Sequence, residues 1–293
     1  MKVAVFGYKG WIGSMMCNLL QKDNISILKP NIRANNIKKV ENFIKENKPT
    51  HVMSFIGRTH GSIGEKKYTT IDYLEQPGKL DENIRDNLFS PIVLAQLCKK
   101  YSIHFTYLGT GCIFKYDNKH PFADTKTGFK ESDTPNFTES GYSNVKGYTD
   151  QLMNLLFDNT LNLRIRMPIT NKHEPRNFIT KITTYEYICS IPNSMTVLDE
   201  LLPYVLDMTR NKITGTYNLT NPGVISHNEI LEMYKKYVDT NFTWKNFSVE
   251  DQSKILAAGR SNNCLDTKKL KTLYPKILSI KESVENILKN FNK

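Results

Sequence analysis

A doubly wound α/β fold with a parallel sheet and a smaller C-terminal lobe is predicted by three observations. Short apolar runs alternate with helix-like segments through the first 166 residues. The chain opens with a strand, a glycine turn and a helix, and beyond Met167-Pro168 the alternation gives way to polar loops and short helices. Strands and helices in alternation make βαβ units. Their parallel strands are covered on both faces and therefore read as continuous apolar runs.

In chain order, Lys2-Val-Ala-Val-Phe6 reads as the first strand, the segment from Gly7 to Gly13 as a turn, and residues 14–22 as a helix. Residues 25–28 predict a second strand, 37–47 a helix, 51–56 a strand, and 83–101 one long helix. A strand at 104–108, a helix at 142–157 and a strand at 161–166 complete the alternation. Residues 215–219 predict one further strand. Ser226-His-Asn-Glu229 has the spacing of a capping box, in which serine and glutamate satisfy each other's backbone N–H groups at a helix start.

Composition narrows the function. The 293 residues are 39% hydrophobic and 24% charged, as expected of a globular protein. A net charge of +11 favours anionic ligands such as dinucleotides and nucleotide sugars. No lysine or arginine run concentrates it, so nucleic acid is not expected as a partner. Five cysteines without CxxC spacing read as free thiols of a reducing cytoplasm, and no metal site is expected. Met1 leads straight into a strand, and no apolar stretch reaches about 18 residues, so neither a signal peptide nor a membrane partner is expected.

Gly7-x-x-Gly10-x-x-Gly13 follows a strand and opens a helix. Glycines there permit a tight turn and close approach of backbone to a pyrophosphate, whose charge suits the helix N-terminus. Gly7, Gly10, Trp11, Ile12 and Gly13 are therefore expected to bind a dinucleotide, which makes the fold Rossmann-type. The acid that commonly meets an adenosine ribose after the second strand is absent. Lys29 and Arg33 stand there instead, and Lys9 lies in the turn, which favours the 2′-phosphate of NADPH, with NADH the weaker alternative.

Tyr142 and Lys146 are four apart, one helical turn from each other. A cation beside a phenol is expected to stabilise the phenolate and bring its pKa down from about 10, making a proton donor for a ketone. Thr110, about thirty residues earlier, offers a hydroxyl to the same oxygen. Cys112 shares the face of Thr110 if the segment is extended. Its thiol reads either as a small buried apolar group or as a base that removes a proton beside the ketone.

These residues resemble the extended short-chain dehydrogenase/reductases that act on nucleotide sugars, over nearly the whole chain. Gly259-Arg-Ser-Asn-Asn-Cys-Leu-Asp-Thr-Lys-Lys-Leu270 is similar to the C-terminal segment of dTDP-4-dehydrorhamnose reductases. More specific are Gly57-Arg-Thr-His-Gly61, Thr70-Ile-Asp-Tyr-Leu-Glu-Gln-Pro-Gly78, Gly109-Thr-Gly-Cys-Ile-Phe114, Pro175-Arg-Asn-Phe-Ile-Thr-Lys181 and Asn193-Ser-Met-Thr-Val-Leu-Asp-Glu-Leu-Leu202. Together they resemble the bifunctional UDP-4-keto-6-deoxyglucose 3,5-epimerase/4-reductases, the C-terminal module of plant rhamnose synthases.

The resemblance implies a UDP-sugar substrate, epimerised at C3 and C5 and then reduced at C4 by NADPH to UDP-L-rhamnose. It assigns Cys112 and Lys181 to epimerisation, Tyr142 and Lys146 with Thr110 to reduction, and places Gly57, Arg58 and Thr59 beside the cofactor. Asn177 and Arg260 are candidates for the diphosphate, because amide and guanidinium donors match its oxygens. Tyr8 departs from the plant loop, which carries arginine, and leaves Lys9, Arg33 or Arg58 to read the cofactor phosphate. The superfamily's habit implies a homodimer formed through the helices at 83–101 and 142–157. Residues 1–166, rejoined by 197–226, are expected to form the cofactor domain, with 167–196 and 227–293 as the substrate lobe. The alternatives are a reductase-only enzyme of the dTDP-4-dehydrorhamnose reductase kind, a GDP-fucose synthase-like relative, and a non-catalytic NADPH-binding sensor.

Overall fold

A computed structural model describes residues 1–122 and 124–291. The chain forms two compact units: residues 1–113, 138–164 and 202–217 in the first, and 114–137, 165–201 and 218–293 in the second.

The first unit is built on a six-stranded sheet. Its strands in chain order are β1 (Lys2–Phe6), β2 (Ser26–Leu28), β3 (His51–Ser54), β4 (His104–Thr110), β5 (Thr160–Ile165) and β6 (Gly215–Asn218), in the spatial order β6-β5-β4-β3-β1-β2. β1 runs parallel to β2 and β3, and β3 parallel to β4. Val3, Ala4 and Val5 are fully buried, as a strand covered on both faces requires. The helix Trp11–Lys22 turns Met16, Cys17 and Leu20 inward, and Ile37–Asn47 turns Val40 and Ile44. Each such side chain contributes about 1.5–3 kcal/mol through burial.

The helix expected over 83–101 runs from Leu80 to Lys100 with one widened turn. Leu80–Ile84 and Ser90–Lys100 are α-helical, and a π-helical turn, Arg85–Phe89, lies between them. Pro91 explains the widened turn: it has no N–H to give the carbonyl of Asn87, four residues back. That carbonyl accepts instead from the Thr149 hydroxyl at 2.8 Å, which ties the turn to the helix Gly141–Leu156.

The second unit has two short parallel ladders, Pro168–Ile169 with Thr196–Val197 and Tyr187–Ile188 with Lys245–Asn246. Its core gathers Ile169, Ile179, Ile182, Val197, Ile225, Ile230, Leu231, Ile280 and Val284. The Ser226/Glu229 capping box forms as expected, and a second one stands at Ser279/Glu282. Unit boundaries differ from the sequence expectation in two places. Residues 114–137 cluster with the second unit, and of the segment 197–226 only residues 202–217 lie in the first. Among the described residues, no helix is long and apolar enough to cross a membrane.

Candidate active site

Thr110 closes β4, and the chain turns at once so that the Cys112 backbone N–H donates to the Thr110 hydroxyl at 3.0 Å. The same hydroxyl hydrogen-bonds the Tyr142 phenol. Tyr142 enters from the start of the Gly141–Leu156 helix, whose N-cap, Ser140, accepts from the Ser143 N–H. The carboxylate of Glu75 accepts from the Gly141 N–H at 2.7 Å and fixes the end of the helix beside the phenol. Cys112 packs with Tyr142 in an apolar cluster closed by Tyr68, Ile71, Tyr73 and Leu74. Thr110, Cys112 and Tyr142 thus meet at the carboxyl end of a central strand, where open α/β sheets bind ligands.

Lys146 lies one turn further along and is buried, with its ammonium donating to the Tyr107 hydroxyl on β4. The ammonium also lies 4.6 Å from the centre of the Tyr107 ring. The electrostatics differ from the expectation that Lys146 acidifies Tyr142. Burial pushes the Tyr142 phenol up, negative charge at Cys112 pushes the same way, and the Thr110 hydrogen bond opposes both. Burial pulls Lys146 down to about 8, against Asp150 and Cys112. With its ammonium committed to Tyr107, desolvation wins. Tyr142 is therefore a hydroxyl donor at neutral pH.

The glycine turn fits a dinucleotide. Gly7 has φ +81°, and a Cβ there would lie 2.9 Å from the carbonyl carbon of Phe55. A Cβ on Gly13 would lie 2.2 Å from the Gly7 oxygen, so this turn closes only around glycine. Gly10 caps the helix that begins at Trp11, and the early N–H groups of such a helix start are donors that suit an anion. The Lys9 ammonium reaches Asn31 at 3.5 Å and so leans over the loop that carries Arg33.

Arg58 is differently placed. Its guanidinium pairs with Asp86 at 3.2 Å and Glu82 at 3.3 Å. Its backbone N–H donates to the Asn87 side chain, which donates back to its carbonyl, each at 2.9 Å. Asn87 thereby pins the loop Gly57-Arg58-Thr59, a role that sequence reasoning missed. Pro91 in the middle of a predicted helix was the available signal.

In the second unit, Lys181 sits in the short helix Phe178–Ile182, and Arg176 and Arg260 lie within electrostatic reach of it. Burial pulls the Lys181 ammonium down, and the two guanidinium groups add to the shift. Arg260 donates to the Ala258 carbonyl at 2.8 Å. Asn177 is fully buried and its amide is spent internally. It accepts from Ile179 and Thr170 and donates to the carbonyls of Thr170 and Lys172 at 2.8 and 2.9 Å. An amide with two donors and two lone pairs so used has nothing left for a diphosphate. It shapes the loop that presents its neighbour Arg176, which sequence reasoning passed over. Among the described residues, no cluster of three or more His, Cys, Asp or Glu could hold a metal ion.

No family model matches the chain. It is 53% identical over 288 residues, 98% of each chain, to the protein L780 of Acanthamoeba polyphaga mimivirus. The crystal structure of the L780 UDP-rhamnose synthase from that virus superposes with a TM-score of 0.94, covering 99% of both chains. The chain is 44% identical over 281 residues to the bifunctional dTDP-4-dehydrorhamnose 3,5-epimerase/dTDP-4-dehydrorhamnose reductase of Arabidopsis thaliana, covering 96% of this chain and 90% of the plant protein. A dTDP-4-dehydrorhamnose reductase from Bacillus anthracis in complex with NADP, 19% identical with a TM-score of 0.79, shares the fold. With the thiol, hydroxyl and phenol converging at the end of β4, the chain belongs to the bifunctional nucleotide-sugar 3,5-epimerase/4-reductase family and is an enzyme of that class.

Proposed function

We propose that this enzyme converts UDP-4-keto-6-deoxy-D-glucose to UDP-L-rhamnose, by 3,5-epimerisation and then NADPH-dependent reduction at C4. The observation that carries the reading is the juxtaposition of Cys112 with the Thr110–Tyr142 pair. Removing the hydrogen at C3 or C5 places negative charge on the C4 oxygen, and so does delivering hydride to C4. Thr110 and Tyr142 offer their hydroxyls to that one oxygen in both steps, at the point where charge develops. Cys112 removes the proton, and Lys181 returns one. NADPH, when bound in the glycine turn, supplies the hydride. Tyr142 then gives its proton to the C4 oxygen, and Lys146 holds the nicotinamide ribose. The order is set by chemistry: reduction removes the carbonyl that acidifies C3 and C5.

Lys9, whose ammonium reaches Asn31 on the loop that carries Arg33, supports NADPH over NADH, while Arg58 is already paired. Arg260 is the diphosphate partner in this reading, with Arg176 beside it. UDP follows the viral relative's name, and dTDP, in the plant relative's name, is the competing nucleotide. The five cysteines are all free, as suits a reducing cytoplasm. Phe89, Tyr148 and Leu155, 42%, 64% and 79% exposed on the two helices expected to pair, favour a homodimer. The test is incubation with the UDP- and dTDP-linked 4-keto-6-deoxyglucose and NADPH, with the product sugar identified by NMR. Formation of the L-rhamnose configuration from the UDP-sugar supports the reading. Reduction without inversion, or turnover of the dTDP-sugar alone, rejects it.

A further inference from the structure

Lys146 carries its charge in a place that should expel it. The residue is 4% exposed, and a buried ammonium is stable only where its donors are met. Three side chains face it. Asp150 lies one turn on along its own helix, Cys112 sits on the loop after β4, and Tyr107 projects from β4 itself, while Tyr142 lies one turn back on the same helix. Asp150 is the obvious partner, yet its oxygens are already taken. Arg164 donates to them at 2.9 and 2.6 Å, and Asn162 at 2.8 Å. Tyr142 is engaged with Thr110. The bond that Lys146 does make is to the Tyr107 hydroxyl. Tyr107 is 1% exposed within a core that also holds Val93, Leu94, Leu97 and Met153, so the acceptor is held in place. Burial also keeps the Tyr107 phenol protonated, so the acceptor is a neutral hydroxyl and not a phenolate.

We propose that Tyr107 is the positioning residue for Lys146: its hydroxyl accepts the ammonium's hydrogen bond and holds that side chain, still charged, where the cofactor's ribose is received. The inference rests on the place given to Lys146 above, and Tyr107 acts through it without touching the reacting atoms. A hydrogen bond accepted from the charged form raises the pKa of that form, so removing the acceptor must lower it. For a bond to a charged group, the expected drop is roughly one to two pH units.

The experiment uses the full chain without cofactor, labelled with 13C at the lysine Cε and titrated by NMR, with the Lys146 signal assigned from its loss in Lys146→Arg. The wild-type midpoint is expected near about 8. Tyr107→Phe keeps the ring and deletes one oxygen, and is expected to lower the midpoint by roughly one to two units. Phe105→Leu disturbs the same packing, keeps the hydroxyl, and is expected to leave the midpoint in place. With substrate, the alkaline limb of kcat should move down with the midpoint in Tyr107→Phe, while KM for the nucleotide sugar stays unchanged. An unmoved Lys146 midpoint in folded Tyr107→Phe, or an equal shift in Phe105→Leu, overturns the assignment. Because the titration needs no turnover, failure of the proposed reaction leaves this result readable.

Discussion

The backbone N–H of Cys112 donates to the side-chain hydroxyl of Thr110 at 3.0 Å, so the thiol and that hydroxyl are set by a single turn at the end of β4. In the proposed reaction this one turn carries both the base for carbon-bound hydrogen and a clamp for the neighbouring carbonyl oxygen. The same thiol, when charged, favours the protonated forms of Tyr142 and Lys146. The proposed proton removal by Cys112 and proton donation by Tyr142 would thus be electrostatically coupled.

Cys112→Ala separates the two activities. It is expected to abolish solvent-deuterium incorporation at C3 and C5 while leaving NADPH oxidation with a ready-epimerised 4-ketosugar largely intact. Mass spectrometry of the recovered sugar checks the first half, and absorbance at the nicotinamide band checks the second. Deuterium incorporation at the wild-type rate would remove Cys112 as the base.

Lys9→Ala should weaken NADPH relative to NADH by about 10–100-fold, the worth of one hydrogen bond to a charged group. Arg58→Ala should leave that preference alone, since its guanidinium is paired with Glu82 and Asp86. Comparing kcat/KM for the two cofactors checks both. A loss of preference confined to Arg58→Ala would reverse the assignment.

Gly13→Ala tests the turn. The new Cβ would lie 2.2 Å from the Gly7 oxygen, a contact that only backbone movement relieves. Dinucleotide binding, read by fluorescence titration, is expected to be lost or severely weakened. Wild-type affinity in this variant would show that the turn does not form the cradle.

Asn177→Ala is a stability variant. Deleting an amide that satisfies four backbone groups is expected to cost about 1–3 kcal/mol, lowering the melting temperature by roughly 2–4 °C per kcal/mol. Arg260→Ala should leave melting in place and raise KM for the nucleotide sugar. Calorimetry and steady-state kinetics on the pair check this, and the reverse pattern would return the diphosphate to Asn177.

Much of the fold was legible because strands covered on both faces write themselves as apolar runs, as Val3-Ala-Val-Phe6 and Phe105-Thr-Tyr-Leu108 do. Elements whose partners are distant in sequence were not. Residues 114–137 have no periodicity to read; they are held by bonds such as Phe129 to Cys264 and Asp266 to Phe129, both at 2.8 Å. Thr110, Cys112, Tyr142 and Lys146 were legible from spacing and resemblance. Tyr107 was not, because a tyrosine in an apolar strand reads as core until its hydroxyl is seen to meet an ammonium. The direction of the Tyr142 shift was misjudged for the same reason: spacing places Lys146 one turn away but does not say which group its charge serves.

The most direct measurement takes Tyr142→Phe into deuterium oxide without NADPH and follows deuterium wash-in at C3 and C5 of the 4-ketosugar. If one pair of hydroxyls serves both reactions, wash-in falls by about 10²–10⁴-fold, as does NADPH oxidation in a parallel assay. Wash-in at the wild-type rate, with only the reduction lost, would contradict the account.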